Sequence, residues 1–353
     1  MAVVCPAVLQ RLSDAELSER LARRTLELVD VPSESRAEGD LAAHVAGILG
    51  VPELDDATVL AGPPVPRVLL AGHLDTVPAQ ANRPGRIEGG RVVGLGASDM
   101  KGALAVMIEL VLAGAPFGAL FFPREELPHA ESALTPLLER RPLDGAQLVL
   151  VMEPTDNAIH AGCLGNVNAE WTFHGRSGHS ARPWLADNAI ERAAAGIAEL
   201  ARHEPEPHEF DGLIFREVAT VTRIAGGIAG NVVPDRADCH LNYRYAPGRS
   251  PQEAEARLAE LCAGHGELRV TSNAPSGAVP QGNALLDALI AAEGLPVEPK
   301  QAWTPVAEFS RAGYDAVNLG PGSPAQAHRR DESVEIAALV RCARILDRFA
   351  EAL

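Results

Sequence analysis

Apolar and polar positions along this chain follow three different periods, and each period marks a region. Behind "SDAE", where Ser13 and Glu16 have the spacing of a capping box, Leu17, Leu21 and Leu28 recur at helical intervals until Pro32. Leu41, Val45, Ile48 and Leu49 predict a second helix. The grammar then changes. "RVLLAG", "GALFFP" and "AQLVLVM" are short apolar runs bounded by Gly, Pro or charge, and "MKGALAVMIELVLAG" lies between the first two as an apolar helix. Strands apolar on both faces, alternating with helices, predict an α/β sheet.

Near residue 164 the period becomes two. In "VNAEWTFH", Val167, Ala169, Trp171 and Phe173 share one face. A helix is expected over 187–202 with Asp187 as N-cap, then strands near Glu217–Ile224 and Ala237–Tyr245. "SPQE" starts another helix, with Ser250 as N-cap, Pro251 at its first position and Glu253 closing the box. "ELRVTSN" is a final strand, and "HEPEPHEFDG" reads as a polar connection only. The order β-α-β-β-α-β is ferredoxin-like, so residues 164–275 are expected to form an inserted α+β domain. Residues 1–163 and 276–353 then build one α/β domain, in which "AVNLG" is a strand and Glu332–Leu353 a helix.

Composition narrows the function. A net charge of −16 argues against partners rich in phosphate, such as nucleic acid, and against anionic membranes. No window approaches a membrane span, and "MAVVCPAVLQR" lacks the basic start and long apolar stretch of a signal peptide. Cys5, Cys163, Cys239, Cys262 and Cys342 are odd in number and widely spaced, which suits reduced thiols and a cytoplasmic location.

The polar residues that follow the apolar runs carry the chemistry. Ligands in open α/β sheets bind outside the carboxyl ends of the strands. "VLLAG" ends at His73 and Asp75, "ALFFPR" at Glu125 and Glu126, "LVLVM" at Glu153, and "AVNLG" leads to His328; Asp99 lies in the glycine-rich "GLGASDMKGA". Each feature alone fits a solvated loop. Together they crowd carboxylates onto one edge, where Coulomb repulsion calls for a cation. Mixed imidazole and carboxylate donors suit zinc or a similar first-row ion, and they are numerous enough for two ions sharing a carboxylate. Asp75 is placed to bond the second ring nitrogen of His73, and one of the adjacent glutamates would remain as a general base. "GLGASDMKGA" lacks the pattern of a dinucleotide or phosphate loop, and "GRSGHS" is not a serine-nucleophile elbow. His179 in "HGRSGHSARP" reads either as a turn residue or as a donor to a substrate oxyanion. Arg176, Arg182, Arg244 and Arg330 are candidates to bind substrate carboxylates, and Asn231 is either a backbone cap or a substrate contact.

In order, "GHLDTVP", "GASDMKG", "REE", "MEPT", "GRSGHSARP", "GNVVPD" and "AHRRDE" resemble the motifs of the co-catalytic zinc aminoacylase and carboxypeptidase family, the M20 type, from about residue 65 to the end. The resemblance implies an α/β, mixed-sheet zinc-hydrolase catalytic domain with an inserted ferredoxin-like lid and dimerisation domain. It implies two Zn2+ per chain, replaceable by Co2+. His73, Asp99 and Glu153 would hold one ion, and Asp99, Glu126 and His328 the other, with Asp99 bridging. Glu125 would be the general base, Asp75 the orienter of His73, and His179 the oxyanion donor, supplied by the partner subunit of a homodimer. Arg176, Arg182, Asn231, Arg244 and Thr304 would contact a small acylated amino acid. "AGCLGN", "HSARPWLADNAI", "GLIFRE" and "NYRYAPGRSPQEAEA" look most like the succinyl-diaminopimelate desuccinylases of the actinobacterial type. Acetylornithine deacetylase or dipeptidase chemistry, and a non-catalytic amino-acid binder, are the alternatives. Two positions depart from the family pattern. Leu95 stands where an arginine commonly lies, and Glu308 in "WTPVAEFS" replaces a basic residue, placing a negative charge near the substrate's distal carboxylate.

Overall fold

Four strands without a polar face form the middle of one sheet. In spatial order they are Gly118–Phe122, Val68–His73, Leu148–Val151 and Ala316–Asn318, each parallel to its neighbour. Every residue in them is buried, which is why these runs show no alternation. Antiparallel strands flank the four, Thr58–Ala61 on one side and Ile159–Ala161 on the other, and Glu53–Leu54 and Val297–Pro299 complete a mixed sheet of eight. The computed structural model describes residues 9–140, 143 and 145–353; Cys5 and the start of the chain lie outside the described residues.

The apolar segment after the glycine-rich loop is the helix Gly102–Leu112, which crosses from Val68–His73 to Gly118–Phe122 and is buried from Gly102 to Leu110. It lies so close to the sheet that a Cβ on Gly72 would come within 2.6 Å of Leu104 Cδ2. Glu109, the acidic residue of this helix, pairs with Arg20 and Arg24 of the capped helix Asp14–Asp30. Of the two later strands that flank Val68–His73, Gly118–Phe122 lies on one side of it and Leu148–Val151 on the other. That reversal is a topological switch point, the place where such sheets open a crevice at their carboxyl ends.

The chain divides into two compact units; the second holds Cys163–Gly277 and Pro299–Trp303. Its sheet runs Glu206–Phe210, Leu213–Gly226, Arg236–Tyr245, Gly165–His174, Glu267–Ala274, antiparallel throughout. Apart from the first strand this is the ferredoxin-like order. Val167, Ala169, Trp171 and Phe173 meet Ala193 and Leu200 of the helix Ala189–Leu200, and Ala254 and Leu258 of the helix Pro251–Leu261, in one core.

Three local expectations are corrected. "HEPEPHEFDG" is not a mere connection: Glu206–Phe210 pairs with Leu213–Glu217 across a hairpin. Its turn residues, Asp211 and Gly212, have φ of 49° and 79°, the left-handed pair that Asp-Gly favours in a two-residue turn. The N-cap of the first helix in this unit is Asn188, whose side chain accepts from Ile190 N–H at 3.0 Å, while Asp187 pairs with Arg192. The terminal helix is Ile336–Ala350, and before it Ser333–Glu335 forms a strand against Arg91–Val93. Three residues carry too little periodicity to announce a strand. Among the described residues no helix is long and apolar enough to cross a membrane, and Cys163, Cys239, Cys262 and Cys342 are buried.

Candidate metal centre

The switch-point edge gathers the residues that end the central strands. His73 terminates Val68–His73, Glu125 and Glu126 follow Gly118–Phe122, and Glu153 follows Leu148–Val151. His73 Nε2 lies 3.1 Å from Asp99 Oδ1 and 3.7 Å from Glu153 Oε1. His328 Nε2 lies 2.9 Å from Glu126 Oε1 and 3.7 Å from Asp99 Oδ2. One carboxylate therefore turns one oxygen toward each imidazole. Ligand atoms of His73, Glu125 and Glu153 are all within 4.8 Å of one another, as are those of His73, Asp99 and Glu126. The cluster runs outward from His73, 1% exposed at its side chain, to His328 at 52%.

Its electrostatics have a common cause. Burial, then the charge of Glu153, push the pKa of Glu125 well above the usual carboxylate range. Burial disfavours charge on His73, but its bonds with Asp75 and Asp99 outweigh this and raise its pKa well above that of an ordinary histidine. The bond to Glu126 raises His328 to about 9. An excess of anion at a dry edge makes both imidazoles more basic and one glutamate harder to ionise. A divalent cation answers the same field.

The backbone around the cluster is held by side chains that coordinate nothing themselves. His73 Nδ1 donates to the main-chain oxygen of Asp75 at 3.0 Å, which fixes the ring and leaves Nε2 facing the carboxylates. The Asp75 carboxylate lies 3.5 Å from the same nitrogen. Its nearer partners are the N–H groups of Glu125 and Glu126, at 2.9 and 3.0 Å, and Ser35 Oγ at 2.8 Å. Asp75 thus orders the glutamate pair as well as the histidine. Arg124 and His328 have φ of 61° and 60°, a left-handed backbone uncommon for side chains of this kind, at the two positions where the loops turn into the cluster. Gln80 Nε2 donates to His328 O at 3.1 Å, and Arg330 Nε to Gln80 O at 3.0 Å, so Arg330 ties the His328 loop.

The remaining candidates are dispersed. His179, Arg176, Arg182 and Asn231 are exposed in the second unit. His179 Nδ1 accepts from Ala181 N–H at 3.0 Å, which leaves the proton of a neutral ring on Nε2, free to donate. The main-chain oxygen of Asn231 accepts from Ser180 N–H at 3.0 Å. Arg244 is half-buried, its Nε donating to Asn242 Oδ1 at 2.8 Å, and desolvation lowers its pKa. Thr304 is buried just before the helix Val306–Arg311. Glu308 departs from expectation. Its Oε1 accepts from Ser132 Oγ and from the N–H and hydroxyl of Thr135, so its charge is spent on the start of the helix Leu134–Arg140. Ser35, Gln80 and Glu332 were missed in the sequence. Glu332 alone had a signal, an acidic residue closing "AHRRDE".

The donor set fits a pair of first-row divalent ions. Two imidazole nitrogens join carboxylate oxygens in a cluster that runs from the buried His73 to the exposed His328, whereas an all-oxygen cage would suit Mg or Ca. Fold and donors together define a metallohydrolase class. The chain belongs to peptidase family M20/M25/M40, whose model matches residues 69–352. The DapE protein of Mycobacterium tuberculosis is 36% identical over 340 residues, covering 92% of this chain and 96% of its own. The succinyl-diaminopimelate desuccinylase of Corynebacterium glutamicum is 34% identical over 348 residues, 92% and 94% of the two chains. Among solved structures, the aminopeptidase PepT of Bacillus cereus superposes with a TM-score of 0.73 at 21% identity, covering 95% of this chain and 98% of that one.

Proposed function

We propose that this chain removes succinate from N-succinyl-LL-2,6-diaminopimelate, as a two-metal amide hydrolase. The observation that carries the two-metal part is the Asp99 carboxylate, one oxygen toward His73 and the other toward His328. In this reading His73, Asp99 and Glu153 hold one zinc ion, and Asp99, Glu126 and His328 the other. When bound, such ions supply Lewis acidity, bringing the pKa of water down to about 7 and polarising an acyl carbonyl. Glu125 takes the proton from the attacking water and passes it to the leaving amine. Its carboxylate lies beside the ligand atoms of His73 and Glu153, within reach of a water held there. In the homodimer assigned below, the partner subunit's His179 donates its Nε2–H to the acyl oxygen as negative charge develops there. Arg176, Arg182, Asn231, Arg244 and Thr304 are assigned to the substrate's carboxylates and backbone.

The substrate assignment rests on the named Corynebacterium relative. Glu308 does not oppose it, since that charge is already bonded within its own unit. We also assign a homodimer through the second unit and a cytoplasmic setting. Leu213–Gly226 pairs with its hairpin partner only as far as Glu217, so Val218–Gly226 offers an open edge, and Ile224 and Ile228 are 51% and 89% exposed beside it. The deciding experiment loads the purified protein with two equivalents of zinc and compares initial rates on succinyl-diaminopimelate, acetylornithine and dipeptides. A preference of at least tenfold for the succinyl substrate supports the assignment. A preference for either other class replaces the substrate, and no turnover of any removes the enzyme.

A further inference from the structure

Glu332 is buried, 1% exposed, and lies four positions after His328. Its Oε2 accepts from the N–H of Gly96 at 2.8 Å, and its Oε1 accepts from the N–H groups of Ser98 and Asp99, each at 2.9 Å. Its own main-chain oxygen accepts from Gly94 N–H at 3.0 Å, and its N–H donates to Arg329 O at 3.2 Å. The glycine-rich loop is thus closed around one side chain that comes from the segment bearing the second histidine. Gly96, with φ of 75°, permits the turn that aims these amides inward.

Such a carboxylate adds nothing to the ligand set. It determines where the backbone of Asp99 sits, and Asp99 must present two oxygens in two directions. We propose that Glu332 is the positioning residue of the paired site: by clasping the amides of Gly96, Ser98 and Asp99, it holds Asp99 between His73 and His328 and couples the Asp99 loop to the His328 loop. The inference rests on the two-metal reading above. It is separable from that reading, because it concerns the affinity of the ion shared by Asp99 and His328 and not the presence of metal.

The role requires an acceptor pair. In Glu332→Gln one oxygen remains for Ser98 and Asp99, while the new amide opposes Gly96 N–H; Glu332→Ala removes all three bonds. Metal-free wild type and both variants are titrated with Co2+, following the absorption spectrum and the heat of binding. Glu308→Gln, a buried carboxylate that caps a helix, serves as the control for a merely structural loss. The expected result is a second-ion affinity weakened about 10–100-fold in Glu332→Gln, the usual scale for loss of an outer-shell partner, and further in Glu332→Ala. The first-ion affinity should change less, and the spectrum of the second ion should be altered, while Glu308→Gln titrates like wild type. Two ions bound by Glu332→Gln with wild-type affinity and spectrum overturn the positioning role and leave the metal reading standing. Wild type that takes up no Co2+ overturns both. Should both variants fail to fold, hydrogen exchange in metal-free wild type decides: amides of Gly96, Ser98 and Asp99 protected as firmly as the adjoining helix support the clasp, and exchange as fast as the exposed loop at Gly89 and Gly90 overturns it.

Discussion

In the second unit Glu217 is buried beside a histidine, as Glu153 is in the first. His208 Nε2 lies 3.4 Å from Glu217, and His73 Nε2 lies 3.7 Å from Glu153. The resemblance ends with the next neighbour. Glu217 receives Arg249 Nε and Nη2 at 2.9 and 3.1 Å, the Tyr243 hydroxyl at 2.7 Å and Ala246 N–H at 2.9 Å. These bonds outweigh its burial and hold its pKa below the usual range. Glu125, close to Glu153, is pushed the other way by burial and by its neighbour's charge. Glu206, His208 and Glu217 have ligand spacing too, but the guanidinium already supplies their cation. A carboxylate cluster with an internal arginine is structure. One whose positive neighbours are imidazoles is a place for an ion.

That contrast can be broken from either side. The largest effect is expected from Glu125→Gln, which should lower kcat by about 10²–10⁴-fold while metal analysis still finds the wild-type count. Unchanged turnover would remove Glu125 from the reaction. The second unit should respond to loss of its own cation: Arg249→Ala leaves Glu217 buried without its guanidinium and should cost about 3 kcal/mol in denaturant unfolding, with metal uptake unaltered. Because the folded pKa of Glu217 is depressed, its stabilisation is present above the unfolded value of about 4.3 and is lost as pH falls through the lower folded value. Glu217→Gln should therefore flatten the acid limb of a stability profile below about pH 4; a limb as steep as wild type would contradict the pairing.

A comparable but localised effect belongs to the ion. Zinc at a hundredfold excess over its dissociation constant should add about 2.7 kcal/mol of stability. Hydrogen exchange should place the added protection in Val68–His73 and Leu148–Val151 and leave Arg236–Tyr245 unchanged. Protection spread evenly over both sheets would sink the contrast. The smallest effect is expected from Glu308→Gln, about 1 kcal/mol of stability with no change in KM for a dicarboxylate substrate. A marked fall in KM would mean that the charge does face the substrate after all.

Periodicity alone made the central strands, the apolar crossover helix, both capping boxes and the alternating strand Gly165–His174 legible, because each depends on residues a few positions apart. The same local reading located His73, Glu125, Glu126 and Glu153 after the ends of apolar runs, and Asp99 and His328 in loops beyond, as candidates for one edge. It failed for Glu206–Phe210, whose polar residues suit an exposed edge, although Asp211–Gly212 carried the hairpin signal. It failed also for Glu308, since nothing near "AEFS" shows that the partners are Ser132 and Thr135.

What the sequence determined by itself is the kind of chemistry available: imidazoles and carboxylates on loops after buried strands, with too few basic residues beside them to balance the charge. Which carboxylate does what was decided by tertiary structure. Asp75, Glu308 and Glu332 have the same functional group as Asp99 and Glu153. Backbone amides and hydroxyls brought from distant segments bond the oxygens of Asp75, Glu308 and Glu332, whereas Asp99 and Glu153 turn oxygens toward the imidazole of His73.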